Sequence, residues 1–260
     1  MAKPRKRHVQ LELPRRDRNG QRRGIGRRKI RHRLGRPPNG SRSGGKHARR
    51  EVFRRDTPIH VVLRVVQAIG GLRKDKTYAA LREALLVAAR RENFRVVHVS
   101  IQAEHVHLLI EATDRVALWR GMQSFQISAA KRLNAAISKP GERRRRGSVF
   151  TARYHASLIT SPKQARHTLA YVLNNWRHHH EDRDGRARSW RIDRYSSAIS
   201  FDGWRESWSS STVWRIPKDY LPLPVRPARC WLLTTGWKRH GLIETTEVPG
   251  PKTMPELADD

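Results

Sequence analysis

Between Thr57 and Trp176 the apolar residues fall into runs whose period switches between two and about 3.6 residues, and the order of those runs limits the fold. Ile59-His60-Val61-Val62-Leu63-Arg64-Val65-Val66 is β-branched and of strand length. A helix is expected from Lys76 to Arg91, with Tyr78, Leu81 and Leu85 at helical spacing. Phe94–Ile101 reads as a second strand, 102–104 as a short turn, and His105–Glu111 as a third strand antiparallel to the second. A second helix is expected over 115–137, with Leu118, Met122, Phe125, Ala129 and Leu133 as its core stripe. A basic loop, 139–147, leads to a strand over 149–159. Ser161-Pro162-Lys163-Gln164 then opens a helix to about His179, with Ser161 as N-cap, Pro162 in the first turn and Gln164 closing a capping box. The order β-α-β-β-α-β-α has a hairpin at its centre. It predicts an α+β, ferredoxin-like fold: a mainly antiparallel sheet with its helices on one face.

Charge decides the partner class. The net charge of +32 draws in polyanions, so nucleic acid is the expected ligand. No run of 18 apolar residues is present, so no membrane partner is expected. Residues 1–56 hold 21 Lys and Arg against 4 Asp and Glu, the composition of a disordered arm that tracks phosphates or serves as a linker. Cys230 is the only cysteine, which excludes an intramolecular disulfide and a cysteine zinc finger. With no signal-peptide pattern at the start, a cytoplasmic, nucleoid-associated location is expected. Residues 181–260 carry six of the eight tryptophans and read as a loop-rich extension, partly packed through Trp190, Trp204, Trp208 and Trp214. Those indoles either pack or stack bases.

Alternation places His105 and His107 on one face of their strand, about 7 Å apart along the chain, with Val106, Leu108 and Ile110 on the other. In the preceding strand Val97, Val99 and Ile101 are expected on the apolar side, and His98 and Ser100 on the histidine side. Two such imidazoles can share a metal ion or form an ordinary solvated pair, and a third ligand must come from elsewhere. On the last helix Leu169, Val172, Leu173 and Trp176 form the core stripe. Tyr171 and Asn175 fall outside it, on the polar side with His167 and His178. A phenol at i and an amide at i+4 project side by side. They could complete the histidine site with a nucleophile and a ligand, or simply occupy an exposed face.

The strand Glu104-His105-Val106-His107-Leu108-Leu109-Ile110 and the helix with Tyr171-Val172-Leu173-Asn174-Asn175 resemble the single-tyrosine HUH transposases, in particular the REP-associated branch. The resemblance runs from Thr57 to Trp176 and continues weakly through Tyr195-Ser196-Ser197. It implies that His105, His107 and Asn175 ligate Mg²⁺ or Mn²⁺. It also implies that Tyr171 attacks single-stranded or hairpin DNA, giving a 5′-phosphotyrosine and a free 3′-hydroxyl. Many members act as homodimers. Ala103-Glu104 stands where the family has Pro-Asn, and Asn175-Trp176 where it has Asn-Pro, so Glu104 is a candidate extra acidic group at the site. Arg143, Arg144, Arg145, Arg146 and Lys163 are the expected DNA contacts. A non-catalytic nucleic-acid-binding relative is the alternative, although the sheet lacks the paired aromatics of RNA-binding folds.

Overall fold

The computed structural model describes residues 53, 55, 57–183, 191–206 and 220–248, all within one compact unit, 44–260. Most of the basic arm, and Trp190, Trp208 and Trp214, lie outside the described residues.

Four strands, β1 (Ile59–Arg64), β2 (Phe94–Ile101), β3 (His105–Ala112) and β4 (His155–Leu158), form a sheet in the order β2-β3-β1-β4. Every neighbouring pair is antiparallel. With α1 (Asp75–Ala89) and α2 (Arg115–Ala136) this is the expected ferredoxin-like α+β arrangement. Ile59, Val61, Leu63, Val99, Val106 and Leu108 meet α1 and α2 through Leu81, Leu85, Met122 and Phe125, all buried. Asp114 caps α2 by accepting from the amides of Val116 (2.7 Å) and Ala117 (2.8 Å), two donors the helix cannot satisfy itself. Gly121 lets α2 settle onto Phe94, since a β-carbon there would stand 2.1 Å from the ring.

The one-face expectation needs a correction. α1 and α2 share a face, whereas α3 (Pro162–His178) packs on the opposite one, its Leu169 and Leu173 joining Val97 and Leu109 in a second core. Val97, expected on the apolar side with Val99 and Ile101, belongs to this second core. The register with β3 slips between Val96 and His98, and that bulge turns Val97 over. The expected strand over 149–159 is also shorter. An isolated bridge joins Val65 to Phe150, the chain bends away at 151–153, and regular pairing resumes at His155. At the start of α3, Ser161 accepts from the amide of Gln164 (3.2 Å). The Gln164 carbonyl oxygen accepts from Thr160 N–H (2.9 Å), one residue upstream of the expected capping-box partner.

The C-terminal residues finish the second core with Phe201, Trp204, Leu233, Trp237 and Ile243. They also cover the outer edge of β2. Ile101 N–H donates to Tyr195 (2.8 Å), Ser197 N–H to Val99 (2.8 Å) and Arg226 N–H to Val96 (2.8 Å). An open strand edge is a template for aggregation, and this one is closed. Glu111 anchors the strap, its carboxylate accepting from the amides of Arg229 (2.9 Å) and Cys230 (2.9 Å). The outward side of α3 is held as well: Asn174 donates to the Glu244 carbonyl (2.9 Å), Arg177 to that of Thr245 (2.8 Å) and Arg166 to that of Leu242 (3.0 Å). Among the described residues no helix is long and apolar enough to cross a membrane.

Candidate active site

Where the second core ends, toward β1 and β4, a cleft of about 850 Å³ opens between the sheet and α3. Strand alternation supplies its floor. His105 and His107 come from β3, His60 and Val62 from β1, and His155 and Ser157 from β4. The wall is α3, through Lys163, His167 and Tyr171, with His179 just past its end.

The rings meet closely. The His105 and His107 centroids are 4.7 Å apart, and the Tyr171 ring stands edge-on to His107 at 5.3 Å and to His60 at 6.0 Å. His179 stands edge-on to His105 at 5.4 Å. Tyr171, Asn175 and His179 are spaced by four and share one stripe of α3 and its cap. Since both ends of that stripe touch the histidine pair, its middle residue, Asn175, is held over the same face of the sheet. Asn175 is fully buried, and both its amide oxygen and its amide nitrogen lack a hydrogen-bond partner. His105 Nδ1 and His107 Nε2 are likewise buried without a partner. Buried polar groups are almost always paired, so four such atoms need an explanation.

Burial, then the neighbouring charges, pushes His105 down to about 4 and His107 to about 2. Burial, then His155, brings His60 to about 4. All three imidazoles are therefore neutral at pH 7, with lone pairs available to a cation. Burial raises the Tyr171 phenol above its ordinary value, so it is protonated at neutral pH. Among the described residues no three His, Cys, Asp or Glu side chains group as a cation site. An amide oxygen is a ligand type chemically suited to Mg²⁺ or Mn²⁺.

Residues 54–175 match the family model described as "Transposase IS200 like". This stretch is similar to the IS200-like transposases. The matched segment takes in all four strands, both helices of the first core, Tyr171 and Asn175. No curated protein matches the chain. A solved structure described as the REP-associated tyrosine transposase bound to a REP hairpin aligns with a TM-score of 0.42 at 15% identity, over 51% of this chain and 73% of that one. A Deinococcus radiodurans R1 protein described as a transposase aligns with a TM-score of 0.33 at 18% identity, over 54% of this chain and 98% of its own. The family match, not these alignments, carries the assignment.

The residues expected to contact DNA divide. Lys163 lines the cleft. The four-arginine loop does not; it packs at the far end of α2. Arg143, Arg144 and Arg146 are exposed, although Arg144 reaches back to the Lys131 carbonyl. Arg145 turns inward, donating to Asn134 and to the Ser148 carbonyl (3.2 Å), and so holds the loop's shape. Glu104 pairs with Arg64 (2.8 Å) on an exposed turn. His60, His155 and His179 were not singled out from the sequence. Only the β1–β3 register, Val62 opposite His107, brings His60 onto the histidine face.

Proposed function

We propose that the chain is a DNA transposase that cleaves and rejoins single-stranded or hairpin DNA through a 5′-phosphotyrosine on Tyr171, with Mg²⁺ or Mn²⁺ held by His105, His107 and Asn175. One observation carries the reading: the phenol stands beside an imidazole pair in which His105 Nδ1 and His107 Nε2, like the buried Asn175 amide on the same helix as the phenol, have no partner in the protein. The two imidazole lone pairs and the amide oxygen fit a divalent ion. When bound there, the ion draws charge from a phosphate oxygen and orients the scissile bond.

The rest of the chemistry belongs to the chain. Lys163, Arg64 and the exposed His155 and His167 line the cleft and offer donors to phosphates on either side of the scissile one. Tyr171 Oη forms a bond to phosphorus as the P–O3′ bond breaks. The phenol proton leaves to solvent, and the departing 3′ oxygen takes up a proton. One phosphodiester is exchanged for another, so a second 3′-hydroxyl can displace the tyrosine later without ATP. Fixed alignment of the phenol with the phosphate offsets its weak nucleophilicity at neutral pH. The tyrosine and histidine pair come from one chain, so the reading needs no second subunit to complete the site.

The test is covalent capture. Single-stranded hairpin oligonucleotides incubated with Mn²⁺ should yield a protein–DNA adduct that survives denaturation, and Tyr171→Phe should abolish it. Adducts persisting in Tyr171→Phe would end the tyrosine assignment. Metal-independent binding with no cleavage would instead favour a non-catalytic DNA-binding role.

A further inference from the structure

His60 Nε2 lies 3.0 Å from His107 Nδ1, and the two rings are nearly parallel, 16° apart, with centroids at 5.2 Å. This contact joins neighbouring strands and lies beneath Tyr171, whose ring meets both imidazoles. We propose that His60 is the positioning residue of the metal site: it accepts the Nδ1 proton of His107 and thereby fixes the tautomer that leaves the His107 Nε2 lone pair free for the cation.

Two arrangements can make a 3.0 Å contact between neutral imidazoles. If His60 Nε2–H donated, His107 Nε2 would have to carry its own proton, a buried N–H with no acceptor, since that atom has no partner. If His107 Nδ1–H donates, Nε2 is left as a lone pair facing the site. The proton of His60 then sits on its Nδ1, which is not among the buried unpartnered atoms. The second arrangement costs less, because unpaired buried donors are rarer and dearer than under-used acceptors. A histidine ligand ordinarily gives its other ring N–H to an acceptor that fixes its orientation. Here that acceptor is another imidazole, delivered by register alone. With the rings side by side and nearly parallel, the His107 ring cannot rotate without breaking the contact.

This inference rests on the metal reading above, and the experiment separates the two. The metal-free protein is observed by ¹⁵N NMR, with the His107 signals identified by their loss in His107→Ala. Wild type should show His107 protonated at Nδ1. Calorimetric titration with Mn²⁺ alone, without DNA, should show binding weakened about 10- to 100-fold by His60→Phe, which keeps a ring but no acceptor. His60→Gln, which restores an acceptor oxygen, should recover most of it. His107 protonated at Nε2 in wild type overturns the role of His60, as does a folded His60→Phe that binds Mn²⁺ like wild type. A wild-type protein that takes up no Mn²⁺ overturns both readings at once.

Discussion

Asn175→Ala should stabilise the metal-free protein while removing its response to metal. Two buried amide atoms without partners cost about 1–3 kcal/mol each, roughly 2–6 kcal/mol together. Alanine removes that cost and adds about 0.5 kcal/mol of helix propensity. Against this stands the small cavity left by a truncated side chain, about 1 kcal/mol at the usual cost per volume. The balance favours alanine by about 1.5–5.5 kcal/mol. At about 2–4 °C per kcal/mol for a unit of this size, Tm in EDTA should rise by several degrees. In Mn²⁺ at a hundred times Kd, wild type should gain about 2.7 kcal/mol and the variant far less. Calorimetric scans of both proteins, with EDTA and with Mn²⁺, give all four values. A variant that melts well below wild type in EDTA would mean that the amide is already satisfied. An equal gain in Mn²⁺ would mean that Asn175 is not a ligand. Either outcome refutes the reasoning.

Gly121→Ala should destabilise the fold by about 1–2 kcal/mol in urea unfolding. The new methyl would overlap the fully buried Phe94 ring, and overpacking of about 1–3 kcal/mol exceeds the helix-propensity gain of about 1; a more stable variant would contradict the close approach. Arg146→Ala should weaken single-stranded DNA binding and lower the slope of log affinity against log salt by about 0.7, without changing Tm. Arg145→Ala should lower Tm instead, because its guanidinium holds the loop together. An unchanged salt slope in Arg146→Ala would remove that arginine from the DNA contacts.

Much of the fold was legible because it is built from local periodicities. The strands and helices fall where alternation and the 3.6-residue stripe put them, and the central hairpin dictated an antiparallel sheet. What escaped was decided by contacts distant in sequence. No period in β2 marks the slip after Val96, since the bulge becomes useful only when α3 and the C-terminal residues need Val97 on their side. The side of the sheet that α3 covers is likewise a tertiary choice. At the site, His105, His107, Tyr171 and Asn175 could be nominated from i, i+2 and i, i+4 spacing. His60 could not, because its role depends on which β1 residue sits beside His107. The arginine run shows the limit of composition: four identical neighbours, one of which is a structural brace.

The grip of residues 242–245 on α3 has a consequence for how the cleft can change. The bonds from Asn174, Arg177 and Arg166 all end on backbone carbonyls between Leu242 and Thr245, beyond the stretch that the family shares. The phenol therefore rides on a lever whose far arm lies outside residues 54–175. A displacement of about 1 Å can cost a reaction a hundredfold, so under the proposed function insertions or trims near residue 243 would retune the site with every cleft residue unaltered.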